Sequence, residues 1–124
     1  MNAIVKLRLD RIEQSEIRGI LAFHFSEING DLSIDGELPE SLIVNKLKLN
    51  SNVIIIISND ELSVGDLKKY GSPVIICEGI LYKKAKEDDK NKYWISLHGF
   101  QFRIETKKDF LESMGRIWFG IAVK

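Results

Sequence analysis

The sequence predicts an all-β protein: an antiparallel barrel or sandwich of seven or eight short strands, with one or two short helical turns. Through most of the chain, apolar residues alternate with polar residues, which is the two-residue period of a strand. Turn-forming residues such as Asn29-Gly30, Gly36 and Pro39 interrupt this alternation at short intervals. Because closure removes exposed sheet edges, a barrel is the favoured arrangement.

In the N-terminal half, alternation predicts strands over residues 4–12, 21–26 and 32–36. Residues 41–49 fit neither a strand nor a helix clearly. The run Val53 to Ile57 consists of β-branched residues throughout. Since an exposed edge of that composition would aggregate, this strand must be buried on both faces or covered by a partner.

In the C-terminal half, one helical turn is expected at Asp66 to Tyr70 and a strand at Val74 to Lys83. Gly79 marks a bulge or a barrel bend within that strand. The charge-rich residues 83–92 are expected to form a solvated loop. The final strand is expected from Ile117 onwards.

Before that final strand, residues 106–109 have the pattern of a helix start. Phe110, Leu111 and Met114 would then face inward, and Gly115 would end the helical turn.

Length and composition indicate one domain over residues 1–124 with no global field for polyanions, because 18 basic residues balance 18 acidic ones. The longest apolar run, residues 53–57, is too short to span a bilayer, so no membrane partner is expected. The single cysteine, Cys77, excludes an internal disulfide and favours a reducing, cytoplasmic compartment.

In the stretch Tyr93-Trp-Ile-Ser-Leu-His-Gly-Phe-Gln-Phe-Arg-Ile104, the alternating apolar residues occupy odd positions up to Leu97 and even positions from Phe100 onwards. The alternation therefore changes parity across His98-Gly99. A two-residue turn at His98 and Gly99 explains this change, because it places Leu97 opposite Phe100 and continues in register along both strands. Gly99 adopts positive φ without penalty, and histidine is enriched among the other residues that do so. A bulged continuous strand is the alternative.

No catalytic, cofactor-binding or metal-ligating set is evident in the sequence. His98 and His24 lack further ligands at suitable spacing, and Cys77 lies mid-strand among apolar residues, where an inert buried thiol is expected. No glycine-rich phosphate loop leads from a strand into a helix. No small-molecule substrate is therefore indicated.

Charge and aromatic residues suggest two kinds of binding surface. Five acidic residues and no lysine or arginine lie between Gly19 and Asn45. This stretch could dock a basic partner, bind a cation, or simply be exposed to solvent. Trp94 with Arg103, and Trp118 near Lys124, could form a platform for single-stranded nucleic acid. The zero net charge argues against that use, and the tryptophans would otherwise cover the barrel exterior or a protein interface.

Three segments resemble a known family. They are Val74-Ile-Ile-Cys-Glu-Gly-Ile-Leu-Tyr-Lys83, the stretch from Tyr93 to Ile104, and Ile117-Trp-Phe-Gly-Ile-Ala-Val-Lys124. Their order is similar to that in the small OB-fold subunit shared by eukaryotic nuclear RNA polymerases, and closest to its archaeal counterpart, known as the G subunit or the eighth subunit. His98 departs from the family pattern, which has a glycine there, and so does Phe100-Gln-Phe102.

The resemblance implies an OB-fold-like Greek-key barrel that serves as a non-catalytic subunit of archaeal DNA-directed RNA polymerase. It implies other polymerase subunits as partners, chiefly the largest, with nucleic acid contacted only through the complex. The alternative is a free-standing OB-fold protein that binds single-stranded nucleic acid. The partner-binding residues expected from the stretch and its neighbours are Trp94, Ser96, His98, Gly99, Phe100, Arg103 and Trp118.

Overall fold

The computed structural model describes residues 2–43, 45–111 and 114–124. These contain eight strands and two short helices. The strands are β1 (Asn2–Gln14), β2 (Ile20–Glu27), β3 (Ser33–Pro39), β4 (Asn52–Ser58), β5 (Ser72–Glu87), β6 (Lys90–Leu97), β7 (Phe100–Thr106) and β8 (Gly115–Val123); the helices are α1 (Glu40–Ile43) and α2 (Val64–Lys68).

The eight strands close into an antiparallel barrel in the order β1-β2-β3-β7-β6-β5-β8-β4. Each half of the chain is a Greek key: β4 returns beside β1, and β8 returns beside β5. The two halves join through the β4–β8 and β3–β7 pairs. The predicted Greek-key barrel is therefore confirmed, and the sandwich alternative is excluded.

The barrel interior is filled by the apolar residues that recur at every second position of each strand, as the alternation predicts. Leu7, Phe25 and Ile55 are fully buried there. Packing is close at Gly36, where a Cβ atom would lie 2.3 Å from Cε2 of Phe102. The Phe102 ring thus occupies the space that any other residue at position 36 would need.

The run Val53 to Ile57 forms β4, and it is buried on both faces, as expected from its composition. Val53, Ile55 and Ile57 face the interior. Ile54 and Ile56 face outward and are covered by Leu67 of α2, with Ala122 of β8 in the same cluster. Helix α2 is held at its start by a capping box, in which Ser63 and Asp66 each accept a hydrogen bond from the other's backbone N–H.

The expected loop over residues 83–92 is wrong, because most of these residues extend β5 and β6 into a two-stranded ribbon. Asp88 and Asp89 form the turn with φ of 51° and 63°. Lys92 Nζ lies 3.0 Å from Glu87 Oε2, and this hydrogen bond raises the pKa of Lys92. Neighbouring opposite charges therefore support a strand that composition alone assigns to a loop.

The expected helix start at residues 106–109 is also wrong. Thr106 ends β7, and the described residues 107–111 contain no helix. The Thr106 hydroxyl donates to Asp31 and accepts from the Lys108 N–H, so it forms a local turn rather than a helix cap. Leu111 is buried as expected, whereas Met114 is exposed, and Glu112 and Ser113 lie outside the described residues.

Three further positions refine the expectations. Asn29-Gly30 lies, as its turn signal predicts, in the turn between β2 and β3, which is five residues long. The unassigned residues 41–49 begin in α1 and continue as turns, with Asn45 at φ 64° and Val44 outside the described residues. Gly79 lets β5 approach the backbone of Ser96, while the bulge itself falls at Tyr82.

Candidate partner-binding surface

The β6–β7 hairpin carries most of the residues expected to bind a partner. Its register pairs Leu97 with Phe100, Ser96 with Gln101 and Trp94 with Arg103. His98 and Gly99 are the two central turn residues, with φ of 54° and 93°. Because the strands alternate, the side chains of Trp94, Ser96 and Arg103 share the outer face of the barrel.

A chain of hydrogen bonds and ion pairs runs across this outer face from β2 to β6. Asp35 of β3 lies between His24 and Arg103, with Asp35 Oδ1 2.6 Å from His24 Nδ1 and Asp35 Oδ2 3.5 Å from Arg103 Nη2. Arg103 Nε in turn lies 3.6 Å from Glu105 Oε1, and Lys92 Nζ lies 3.8 Å from the same oxygen. Arg103 therefore has two carboxylates within ion-pairing distance.

Trp94 lies at the centre of the same face and is half-buried. On one side Lys83 Nζ lies 4.5 Å from the centroid of the Trp94 ring, a cation–π contact. On the other side the strand partner is Arg103. Next to this pair, Tyr82 of β5 is 45% exposed and donates a hydrogen bond to Gln101 Oε1.

These residues border an open groove of about 570 Å³. Its floor is formed by Ala22, Gly36 and Phe102, and its sides include Trp94, Tyr82 and Arg103. The small outward residue Ala22 helps to create the depression, since a larger side chain there would fill it. We refer to the outer face formed by Asp35, Tyr82, Trp94, Gln101 and Arg103 as the tryptophan face.

The tryptophan face includes residues that parity alone does not single out as binding residues. Asp35 joins it through the β3–β7 register, which pairs Asp35 with Arg103. Tyr82 joins it from β5, where it is exposed and donates a hydrogen bond to Gln101 of β7. Three of the five acidic residues of the Gly19 to Asn45 stretch have partners within the chain: besides Asp35, Asp31 accepts hydrogen bonds from Thr106 and Lys107, and Glu27 accepts one from the Leu32 N–H.

The residues expected to form a nucleic-acid platform are not gathered in one place. Trp118 lies on the outer face of β8 beside Glu78, whereas Trp94 lies beside Lys83 farther along β5. Lys124 follows the end of β8 and donates its backbone N–H to Asn52. Arg103 is paired with two carboxylates, so its charge is already balanced.

The remaining expected binding residues lie at the hairpin tip. His98 and Gly99 are exposed, and Phe100 is half-buried. His98 and Phe100 border a second groove, of about 370 Å³, together with Leu42 of α1 and Ile75 of β5. The hairpin thus serves two surfaces, one on its outer face and one at its tip.

The described residues contain neither a metal-binding cluster nor an activated thiol. In the described ranges, no group of three or more histidine, cysteine or acidic side chains could hold a metal ion. Burial raises the pKa of the Cys77 thiol, which keeps it in the less reactive protonated form. No helix among the described residues is long and apolar enough to cross a membrane.

The closed antiparallel Greek-key barrel is consistent with the class of small OB-like barrels. Comparison with known families identifies which one. The family model for the G subunit of DNA-directed RNA polymerase matches residues 3–122, so this chain belongs to that family. No curated protein sequence gave a match. The chain is a structural subunit of DNA-directed RNA polymerase, is not catalytic on its own, and has other polymerase subunits as partners.

Proposed function

We propose that this chain docks on the largest subunit of an archaeal polymerase through the tryptophan face. In this proposal residues 1–124 act as one barrel domain in the cytoplasm, and nucleic acid is reached only through the complex. The observation that carries the proposal is the position of Trp94, half-buried between Lys83 and the ion-paired Arg103. Its ring and its charged neighbours are already in place before a partner arrives.

Such an arrangement suits protein binding for two reasons. Tryptophan, tyrosine and arginine are the residues most often found at the energetic centre of protein interfaces. Side chains that are ordered before binding lose less conformational entropy on association. Here the Tyr82–Gln101 hydrogen bond and the Arg103 ion pairs supply that order.

Nucleic acid fits this face less well. Arg103 is shared between Asp35 and Glu105, and Glu37 also borders the groove. Carboxylates at these positions repel phosphate groups, and non-specific binding of nucleic acid depends on unbalanced cationic charge. Tryptophan fluorescence of the isolated chain is therefore expected to remain unquenched by oligonucleotides at low salt.

A photo-cross-linker tests the docking proposal directly. Benzoylphenylalanine is introduced at position 94, and the assembled polymerase is irradiated and analysed by mass spectrometry. The expected result is a cross-link to the largest subunit. The matched control carries the same group at Lys6, which is exposed on β1, the strand opposite β6 in the closed barrel. A cross-link from position 6 alone, or one from position 94 to a different subunit, would overturn the proposal.

A further inference from the structure

Strand β5 has an unpaired edge over its first half. It pairs with β8 from Ser72 to Leu81, but with β6 only from Ile80 onwards. The reason is that β6 ends at Leu97 and the chain turns back at His98-Gly99. In the part of the chain that the structure describes, no backbone hydrogen bond joins residues 72–78 to anything on that side.

The open edge borders the groove at the hairpin tip. Apart from its rim, this groove of about 370 Å³ is lined mainly by apolar side chains, among them Leu38, Leu42, Val74, Ile75, Leu97 and Phe100. Leu38, Val74 and Leu97 are buried members of the barrel core, so the groove reaches the interior between β5 and α1. Among the described residues, the charged or titratable groups that line the groove are Lys46, His98 and the Cys77 thiol. None of the described lining residues carries a carboxylate.

We propose that the β5 edge at residues 72–78 accepts an extended segment of another polymerase subunit as an additional strand. Alternate backbone groups of a strand point to opposite sides, so the free side of β5 offers a row of donors and acceptors to such a segment. Apolar side chains of the segment enter the groove, and an acidic residue of the segment lies beside Lys46. This proposal rests on the proposed function, since it takes the partner to be a polymerase subunit.

The open row of backbone groups favours an extended polypeptide over a small apolar molecule. Unpaired strand edges pair readily with other chains, and native proteins cover or interrupt them. Here Pro73 and the bulge between Pro73 and Ile75 interrupt only the start of the edge. A partner segment would satisfy the remaining groups and cover the half-exposed apolar side chains in one step.

A matched pair of variants tests the groove. Leu42 borders it with 52% of its surface exposed, whereas Leu49 lies in the α1–β4 connection away from the lining with 54% exposed. Because both leucines are exposed, Leu42→Asp and Leu49→Asp are both expected to fold. Leu42→Asp is expected to weaken assembly with polymerase lacking this chain by about tenfold or more, and Leu49→Asp by less than about twofold.

Synthetic peptides test the strand itself. Overlapping peptides that cover the other polymerase subunits are titrated against the full chain by fluorescence anisotropy. One peptide should bind. Two N-methylated versions of it are compared, one methylated at its odd positions and one at its even positions, and only one of the two should lose binding. Amide hydrogen exchange of residues 72–78 should slow when that peptide binds.

The outcomes separate this inference from the proposed function. If the chain does not assemble with polymerase at all, the proposed function fails and the inference with it. Strand addition is overturned if the wild-type chain and Leu42→Asp assemble equally, or if the two N-methylated peptides bind alike. Either result leaves membership of the complex intact. Protection of residues 72–78 in the free chain that rises with its own concentration would identify a second copy as the occupant and overturn the inference.

Discussion

The barrel has two contrasting outer faces. Under α2, the outward residues Ile54, Ile56 and Ala122 are buried by Leu67 of the same chain. On the tryptophan face, the outward residues are Trp94, Arg103 and Asp35, and no element of the described chain covers them. The composition of an outer face thus indicates whether the chain covers it by itself. A strand made wholly of β-branched residues must be buried on both faces. A face on which charged side chains surround a tryptophan can stay exposed to solvent and is available to a partner.

The largest effect is expected on the covered face, where Leu67→Ala should lower the free energy of unfolding by about 2–5 kcal/mol. Leu67 is fully buried, and its removal leaves Ile54 and Ile56 beneath a cavity. Chemical denaturation measures the change. Val64→Ala is the control, since Val64 is on the same helix but 51% exposed, and its effect should stay within about 0.5 kcal/mol. Equal effects of the two variants would show that α2 does not cover this face.

Beneath the tryptophan face, Gly36→Ala should lower the free energy of unfolding by about 1–3 kcal/mol. The new methyl group would lie 2.3 Å from the buried Phe102 ring. Gly65→Ala is the matched control, because its Cβ has only an ordinary contact at 3.6 Å. Since alanine favours a helix, that control should be neutral or slightly stabilising. Two variants of equal stability would mean that the groove floor is loosely packed.

At the hairpin tip, His98→Val should cost about 1–2 kcal/mol of folding free energy, because a β-branched residue is strained at φ 54°. His98→Asn should stay within about 0.5 kcal/mol, because asparagine adopts this conformation readily. Thermal unfolding of both variants checks the expectation. Similar melting temperatures for the two variants would argue against the two-residue turn.

On the tryptophan face, Trp94→Ala should lower the free energy of unfolding by only about 1 kcal/mol, since Trp94 is half-buried on the outer face and not part of the barrel core. The affinity of the Trp94→Ala variant for polymerase that lacks this chain should fall by about tenfold or more. Denaturation and competition with the wild-type chain for assembly measure the two quantities. A large loss of stability with unchanged assembly would mean that this face is structural, like the one under α2.

The smallest effect is expected for Asp31→Asn and should depend on pH. The Lys107 N–H and the Thr106 hydroxyl bind the Asp31 carboxylate and lower its pKa. Stability from this group is therefore present above its unfolded pKa of about 3.9 and lost as the pH falls through the lower folded pKa. The variant should be less stable than wild type by about 1 kcal/mol or less at pH 7, and the difference should shrink below about pH 4. A difference that is constant from pH 7 to pH 2 would contradict this cause.

Features set by neighbouring residues are predictable from the sequence. The parity change across His98-Gly99 fixes the β6–β7 register, and with it the pairing of Trp94 with Arg103. The composition of Val53 to Ile57 indicates a strand covered on both faces. Both inferences need only local periodicity and the burial of apolar side chains.

Features set by distant pairing are not predictable in this way. Asp35 meets Arg103 only because β3 and β7 close the barrel, and the free edge of β5 exists only because β6 is the shorter strand. The lysines of residues 83–92 suggest a solvated loop, whereas Lys92 of β6 pairs with Glu87 of β5 and Glu105 of β7 on the two neighbouring strands. Thr106 has the local sequence of a helix cap, although its partner Asp31 lies in a remote turn.

Hydroxyl-radical footprinting of the free chain and of the assembled polymerase tests the central claim most directly. If the tryptophan face is the docking surface, oxidation of Trp94 and Tyr82 should fall strongly on assembly, because the partner covers both side chains. Tyr70, which packs beside α2 on the covered face, is the internal control and should react equally in both states. Equal oxidation of Trp94 in the free and assembled states, with protection at Tyr70, would show that the partner binds the opposite face and would contradict the account.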